Sequence, residues 1–141
     1  MNALIASQIA DLLNKHNELV IDYDANRILK NSDTYIFNLD ESNNVVSVIE
    51  CKKVQWYQFE VCHLTVDPKY RGKGEGAKIL DKAINKAKDN GARVIQCTIR
   101  EGNSASESLF SKSDFIKTNT FYYPTSKNNV GVWQKVVSRA T

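Results

Sequence analysis

The chain has 141 residues, 19 basic and 16 acidic, for a formal charge of +3. That length suits one domain, and an apolar share of 42% with 25% charged residues is that of a globular protein rather than a disordered one. A charge this small gives no case for nucleic acid, no run approaches the roughly 18 apolar residues of a membrane helix, and Met1 to Ala6 lacks the basic and apolar regions of a signal peptide. The expectation is therefore a cytoplasmic protein with neither membrane nor nucleic-acid partner.

Leu4, Ile5, Ile9, Leu12 and Leu13 recur at helical spacing and predict a helix over 2–15. Residues 33–39 and 45–53 read as strands joined by the turn cluster Asp40 to Asn44, and so as a hairpin. A third strand is expected from Gln58 to Val66, stopped by Asp67-Pro68. Gly72, Gly74 and Gly76 follow. Ala77, Leu80, Ala83, Ile84 and Ala87 then mark one face of a helix that ends at Asn90-Gly91. Residues 93–99 read as a strand, Asn103 to Lys112 as a short helix, and 114–123 and 129–138 as two last strands. A βαβ unit flanked by hairpins implies a mixed sheet in an α/β architecture. Cys51, Cys62 and Cys97 are widely spaced, lie in apolar strand-like runs and form no C-x-x-C pair, so they read as buried thiols rather than metal ligands.

The stretch Arg71-Gly72-Lys73-Gly74-Glu75-Gly76-Ala77 carries the most chemical information. Glycines let successive backbone N–H groups turn toward one point. A helix starting there adds unpaired donors and its dipole, and Arg71, Lys73 and Lys78 add charge. Together they suit a phosphate or pyrophosphate. The P-loop ending Gly-Lys-Ser/Thr is missing. Gly72, Gly74 and Ala77 do match the dinucleotide fingerprint, with Glu101 lying 24 residues on. Against that reading, Asp67 to Arg71 separate the strand from the first glycine, and two hairpins leave too little chain for a Rossmann sheet.

Arg71-x-x-Gly74-x-Gly76 resembles the acyl-CoA pyrophosphate motif of the GNAT superfamily of N-acetyltransferases. The preceding Leu64-Thr65-Val66-Asp67-Pro68 is similar to the end of that family's fourth strand. Asn103-x-x-Ser106-x-x-Leu109-Phe110-x-Lys112-x-Asp114-Phe115 resembles a second family segment. The resemblance implies a mixed, mostly antiparallel central sheet with flanking helices and a V-shaped splay between the family's fourth and fifth strands. It implies acetyl-CoA as cosubstrate and an amine, on a small molecule or a protein, as acceptor. The pantetheine arm would bond to backbone groups of Leu64 and Val66, as an added strand would. Thr65, the loop Arg71, Gly72, Lys73, Gly74, Glu75, Gly76 and Ala77, and Asn103, Ser106 and Phe110 complete the implied cofactor site. Hairpin ends of this fold often pair into homodimers, which leaves the oligomeric state open.

Acyl transfer to an amine needs a base, because a lysine-like amine has a pKa near ~10.4. Glu60 lies eleven residues before Arg71, the offset of the general-base glutamate in the histone-acetyltransferase branch of the family. Apolar neighbours suit it to that task, since they disfavour the charged carboxylate. His63 lies an odd number of residues away, so strict alternation puts it on the opposite strand face as a packed or surface histidine. The family's thiolate-protonating tyrosine is replaced by Phe110; Ser111, Tyr122 and Tyr123 are candidate substitutes, and nothing in the sequence selects one. A catalytically inactive acyl-CoA-binding module is the alternative this loss opens. Asp114 replaces a glycine, which a left-handed backbone there would tolerate. Trp56, Tyr57, Tyr122, Tyr123 and Trp133 are candidates for an aromatic acceptor cleft, while Asp22, Asp24, Asp33, Asp40 and Glu41 read as scattered solvated acids.

Overall fold

The computed structural model describes residues 1–17 and 22–137. Its elements, in chain order, are α1 (Ala3–His16), α2 (Ala25–Lys30), β1 (Tyr35–Leu39), β2 (Val45–Lys53), β3 (Gln58–Val66), α3 (Glu75–Asp89), β4 (Val94–Arg100), α4 (Ser104–Lys112), β5 (Ile116–Tyr123) and β6 (Asn128–Val136). The strands are hydrogen-bonded in the order β1-β2-β3-β4-β6-β5. The pairs β1–β2, β4–β6 and β5–β6 are antiparallel, and β3–β4 is parallel. This is the mixed sheet with flanking helices that the sequence implied. The expected end of the last strand at Ser138 lies outside the described residues.

Two compact units divide the chain. The first comprises Met1–Cys51 and His63–Ala83. Its core joins Ala6, Ile9, Ala10, Leu12 and Leu13 of α1 to Tyr23, Ile28, Tyr35, Val45 and Val48. Leu4, expected on the apolar face of α1, is 65% exposed, and the small Ala6 and Ala10 are buried instead. The start of α1 is fixed by Asn2, whose side chain accepts from the Ile5 N–H. The sequence reading missed α2. Asp24, read as a solvated acid, is its N-cap and accepts from the Arg27 N–H at 2.7 Å. Asp40 likewise is no idle surface acid, since it accepts from Ser42 and Asn44 N–H groups at 2.9 Å and so builds the β1–β2 turn.

The second unit comprises Lys52–Cys62 and the chain from Ile84 onward. It buries Phe59, Val61, Ile95, Cys97, Ile99, Phe110, Phe115 and Trp133. Gly91 ends α3 at φ +90°, and Asp114 after α4 stands at φ +67°, the left-handed backbone its position required. The parallel β3–β4 ladder is short: Gln58, Phe59 and Glu60 pair with Val94, Ile95 and Gln96. Val61 to Val66 extend beyond it.

Candidate functional site

The first unit holds the glycine loop. Beyond β3, the Asp67 carboxylate accepts from the Lys69 N–H at 3.0 Å and starts a tight turn over Pro68–Tyr70. The Tyr70 hydroxyl donates to Asp40 at 2.9 Å, which ties this turn to the β1–β2 hairpin. Asn44 N–H and then the Tyr70 hydroxyl hold the Asp40 carboxyl below its usual range, while that carboxylate pushes the Tyr70 hydroxyl up. Arg71 folds back so that its Nε donates to the Val66 carbonyl at 3.3 Å. Gly72 and Gly74 stand at φ +77° and +82°, and nothing lies within 4 Å of where their Cβ atoms would be. The loop is therefore an open cradle that only glycine fits without backbone strain. α3 begins at Glu75, one residue before the expected Gly76, and Gly76 lies within the helix. Its expected apolar face is borne out at Leu80, Ala83, Ile84 and Ala87, which are buried; Ala77 is exposed, and Ile79 is buried in its place. The Glu75 carboxylate sits near Ser47 Oγ at 3.4 Å, Asn38 Nδ2 at 3.5 Å and Lys78 Nζ at 3.8 Å. Its charge is thus partly satisfied at the helix start, where an incoming anion would need positive potential. Lys73 lies 5.8 Å from the Tyr70 ring centroid and, like Arg71, is exposed. Two left-handed glycines, a helix start and two exposed cations fit a pyrophosphate.

Upstream, Leu64 and Val66 are half-buried on β3, whereas Thr65 is buried. Thr65 Oγ1 donates to the His63 carbonyl at 2.9 Å and accepts from Asn17 Nδ2 at 2.9 Å, so its hydroxyl is already engaged. His63 itself stands at φ +55° inside the strand. A left-handed non-glycine residue costs on the order of 1–3 kcal/mol and persists only where the surroundings enforce it. Strict alternation assumes extended backbone, so it does not by itself fix the face of this side chain, although Phe59, Val61 and Thr65 keep alternate positions of β3 buried. The His63 ring instead meets Tyr23 edge-on at 5.7 Å.

Sequence reasoning also missed Glu50. It is 4% exposed on β2, with Thr34 Oγ1 at 3.5 Å from its carboxylate and Tyr35 hydrogen-bonded to it. Burial first, and then the Glu50 charge, push the Tyr35 hydroxyl far above its usual range. One ligand-type oxygen of Glu50 and one ring nitrogen of His63 lie within 4.8 Å. The available signal was a single carboxylate inside the apolar run Val45 to Cys51.

The second unit holds the other expected residues. Glu60 is half-buried on β3 in register with Gln96. Its charge is felt at Cys97, whose thiol is pushed up to about 12 by burial first and Glu60 second. Cys97 is thereby an inert thiol. Asn103 caps α4, accepting from the Ser106 N–H at 3.3 Å. Phe110 is buried edge-on against Phe115 at 5.0 Å, so its ring is a core group and not an exposed cofactor contact. The aromatic candidates divide as well. Trp133 is 9% exposed, whereas Trp56, at 66%, lies against Tyr57 and under the Arg93 guanidinium, and Tyr122 and Tyr123 lie open on β5. No helix of the described residues is long and apolar enough to cross a membrane.

Comparison with known proteins agrees with this fold. An uncharacterised N-acetyltransferase of Methanocaldococcus jannaschii is 28% identical over 96 residues, which cover 68% of this chain. The match spans only 37% of that relative's length. Among solved structures, the NatC complex bound to Gag peptide and CoA superposes with a TM-score of 0.84 at 19% identity, covering 97% of this chain and 93% of the other. The yncA protein of Salmonella typhimurium, solved with acetyl-CoA, gives 0.84 at 18% identity over 100% and 93%. A ribosomal-protein-alanine N-acetyltransferase of Brucella melitensis gives 0.81 at 19% over 97% of each chain. The profile of the acetyltransferase (GNAT) family matches residues 2–115, and the chain belongs to that family.

Proposed function

We propose that residues 1–141 act as a single N-acetyltransferase domain that moves an acetyl group from acetyl-CoA to a primary amine by direct attack. The observation that carries this reading is the open cradle at Gly72 and Gly74, between Arg71 and the start of α3. The pyrophosphate of acetyl-CoA sits over Arg71 to Ala77. The pantetheine arm runs along the backbone of Leu64, Thr65 and Val66, supported by a β3–β4 ladder that ends at Glu60 and Gln96. Asn103 and Ser106, at the start of α4, are further cofactor ligands in this reading, and Phe110 supports that helix from within its core. Glu60 takes the proton of the attacking amine, directly or through a water. Backbone N–H groups of β3 polarise the thioester carbonyl. Cys97, held protonated, offers no route through an acyl-enzyme.

Calorimetric titration with acetyl-CoA, followed by NAD in the same cell, tests the cofactor. Micromolar acetyl-CoA binding without NAD binding is expected. Absence of acetyl-CoA binding overturns the acyltransferase reading, and tighter NAD binding restores the dinucleotide one. The acceptor screen then compares small amines, a lysine peptide and a peptide with an N-terminal alanine. The last is included because a structural neighbour is a ribosomal-protein-alanine N-acetyltransferase.

A further inference from the structure

The family's tyrosine acid is absent from this chain, where Phe110 is buried against Phe115. A different group must then meet the leaving sulfur, or the thiolate leaves unaided. We propose that His63 is the catalytic acid that protonates the departing CoA thiolate, with the buried carboxylate of Glu50 as the residue that positions its ring. The proposal rests on the N-acetyltransferase reading above.

Strand direction supplies the first argument. The glycine loop follows the C-terminal end of β3. An arm laid along Val66 and Leu64 therefore runs from the loop back toward the start of the strand. Its sulfur end comes after Leu64, level with His63. Glu60 lies three residues farther on, about 10 Å along an extended strand. One strand thus presents a proton donor at the sulfur and a proton acceptor toward the amine. The left-handed backbone at His63 is the second argument. It is pinned by Thr65, whose hydroxyl holds the His63 carbonyl and whose oxygen is held by Asn17. Such a conformation marks a side chain aimed by its surroundings.

The environment of the ring is the third. Glu50 of β2 lies within 4.8 Å of it and is backed by Thr34 and Tyr35. Tyr23 packs edge-on against it, and the Arg27 guanidinium of α2 lies 4.6 Å from the Tyr23 ring centroid on that side. On its own strand the neighbours are Cys62 and Leu64. A carboxylate within 4.8 Å of an imidazole orients the ring through its charge. His63 keeps partial exposure, whereas Glu50 does not, so the histidine meets the ligand and the glutamate acts through it.

The step balances as follows. The amine lone pair forms the C–N bond at the thioester carbon. When the tetrahedral adduct collapses, the C–S bond breaks and its electron pair stays on sulfur. The imidazolium N–H proton passes to that sulfur. The surplus proton on nitrogen goes to Glu60 and then to water, and water reprotonates His63.

The test needs no acceptor. CoA is bound to the protein and the ultraviolet absorbance of its thiolate is followed against pH, with desulfo-CoA subtracting the protein's own thiols. Wild type is compared with His63→Asn, chosen because asparagine tolerates the left-handed backbone, and with Glu50→Gln. An adjacent imidazolium should give roughly tenfold or more thiolate at a given pH than the asparagine variant gives. Glu50→Gln should lose part of that gain while still binding CoA. Equal thiolate fractions in wild type and His63→Asn overturn the role of His63. Failure of wild type to bind CoA overturns the cofactor reading instead. A second readout uses wild type alone, should a variant not fold. His16 and His63 are the only histidines, so there are two imidazole spin systems to follow by NMR. CoA but not desulfo-CoA should move one of them, and identical spectra with both ligands overturn the proposal.

Discussion

Replacing Gly74 by alanine tests the cradle directly. At φ +82° an alanine has no neighbour within 4 Å, so nothing in the folded chain clashes with it and the cost is that of the backbone alone. A left-handed L-residue costs roughly 1–2 kcal/mol, and each kcal/mol lowers Tm by roughly 3–5 °C for a chain of this size. Gly91 is the matched control, at φ +90° and equally open, but at the end of α3. Gly74→Ala and Gly91→Ala should therefore lose similar stability in thermal melts. Acetyl-CoA calorimetry should separate them. In Gly74→Ala the new methyl occupies the cradle and disturbs N–H groups that bond a charged phosphate, each worth roughly 1.5–3 kcal/mol. Affinity should fall roughly 10- to 150-fold, while Gly91→Ala binds like wild type. Gly74→Asn should recover most of the stability, because asparagine accepts left-handed backbone, without recovering affinity. If Gly74→Ala binds acetyl-CoA as tightly as Gly91→Ala, the loop is only a turn and the pyrophosphate assignment fails.

Glu60→Gln should slow turnover about 10²- to 10⁴-fold with acetyl-CoA affinity unchanged; undiminished turnover removes Glu60 from the role of base. Cys97 should resist alkylation in the native state at neutral pH and react once the chain is unfolded in urea, because its folded thiol is raised to about 12; rapid native labelling would contradict the burial that raises it. Since that folded value lies above the unfolded one, the stability Cys97 contributes is complete below about pH 8.5 and is lost as pH rises toward 12. A Cys97→Ala chain should therefore show a flatter alkaline denaturation profile than wild type. Asn103→Ser should keep the α4 cap, and so its stability, whereas Asn103→Ala should lose about 1 kcal/mol. A fall in acetyl-CoA affinity common to both variants identifies the Asn103 amide as a ligand group, and wild-type affinity in both assigns it to capping alone.

The sequence alone determined what rests on local pattern. The hairpin, β3, the glycine loop, α3, β4 and α4 lie close to where the periodicity and punctuation put them, because apolar spacing, Pro68, Gly91 and Asn103 act over a few residues. The loop's turn geometry was legible for the same reason: alternating glycines are a local feature, and Gly72 and Gly74 do stand at positive φ. Short α2 escaped because six residues give too little periodicity, although its Asp24 cap was visible. Leu4 and Ala77 were misplaced because an apolar residue at the rim of a face needs a neighbour to bury it. Only tertiary structure decided the surroundings of β3. That His63 stands at a left-handed φ depends on Thr65 and Asn17, 48 residues apart in sequence. That Glu50 is a buried carboxylate beside it depends on how β2, Tyr35 and Tyr23 close over that strand. Strand alternation fixes faces only while the backbone stays extended, and long-range contacts are what take it out of that state.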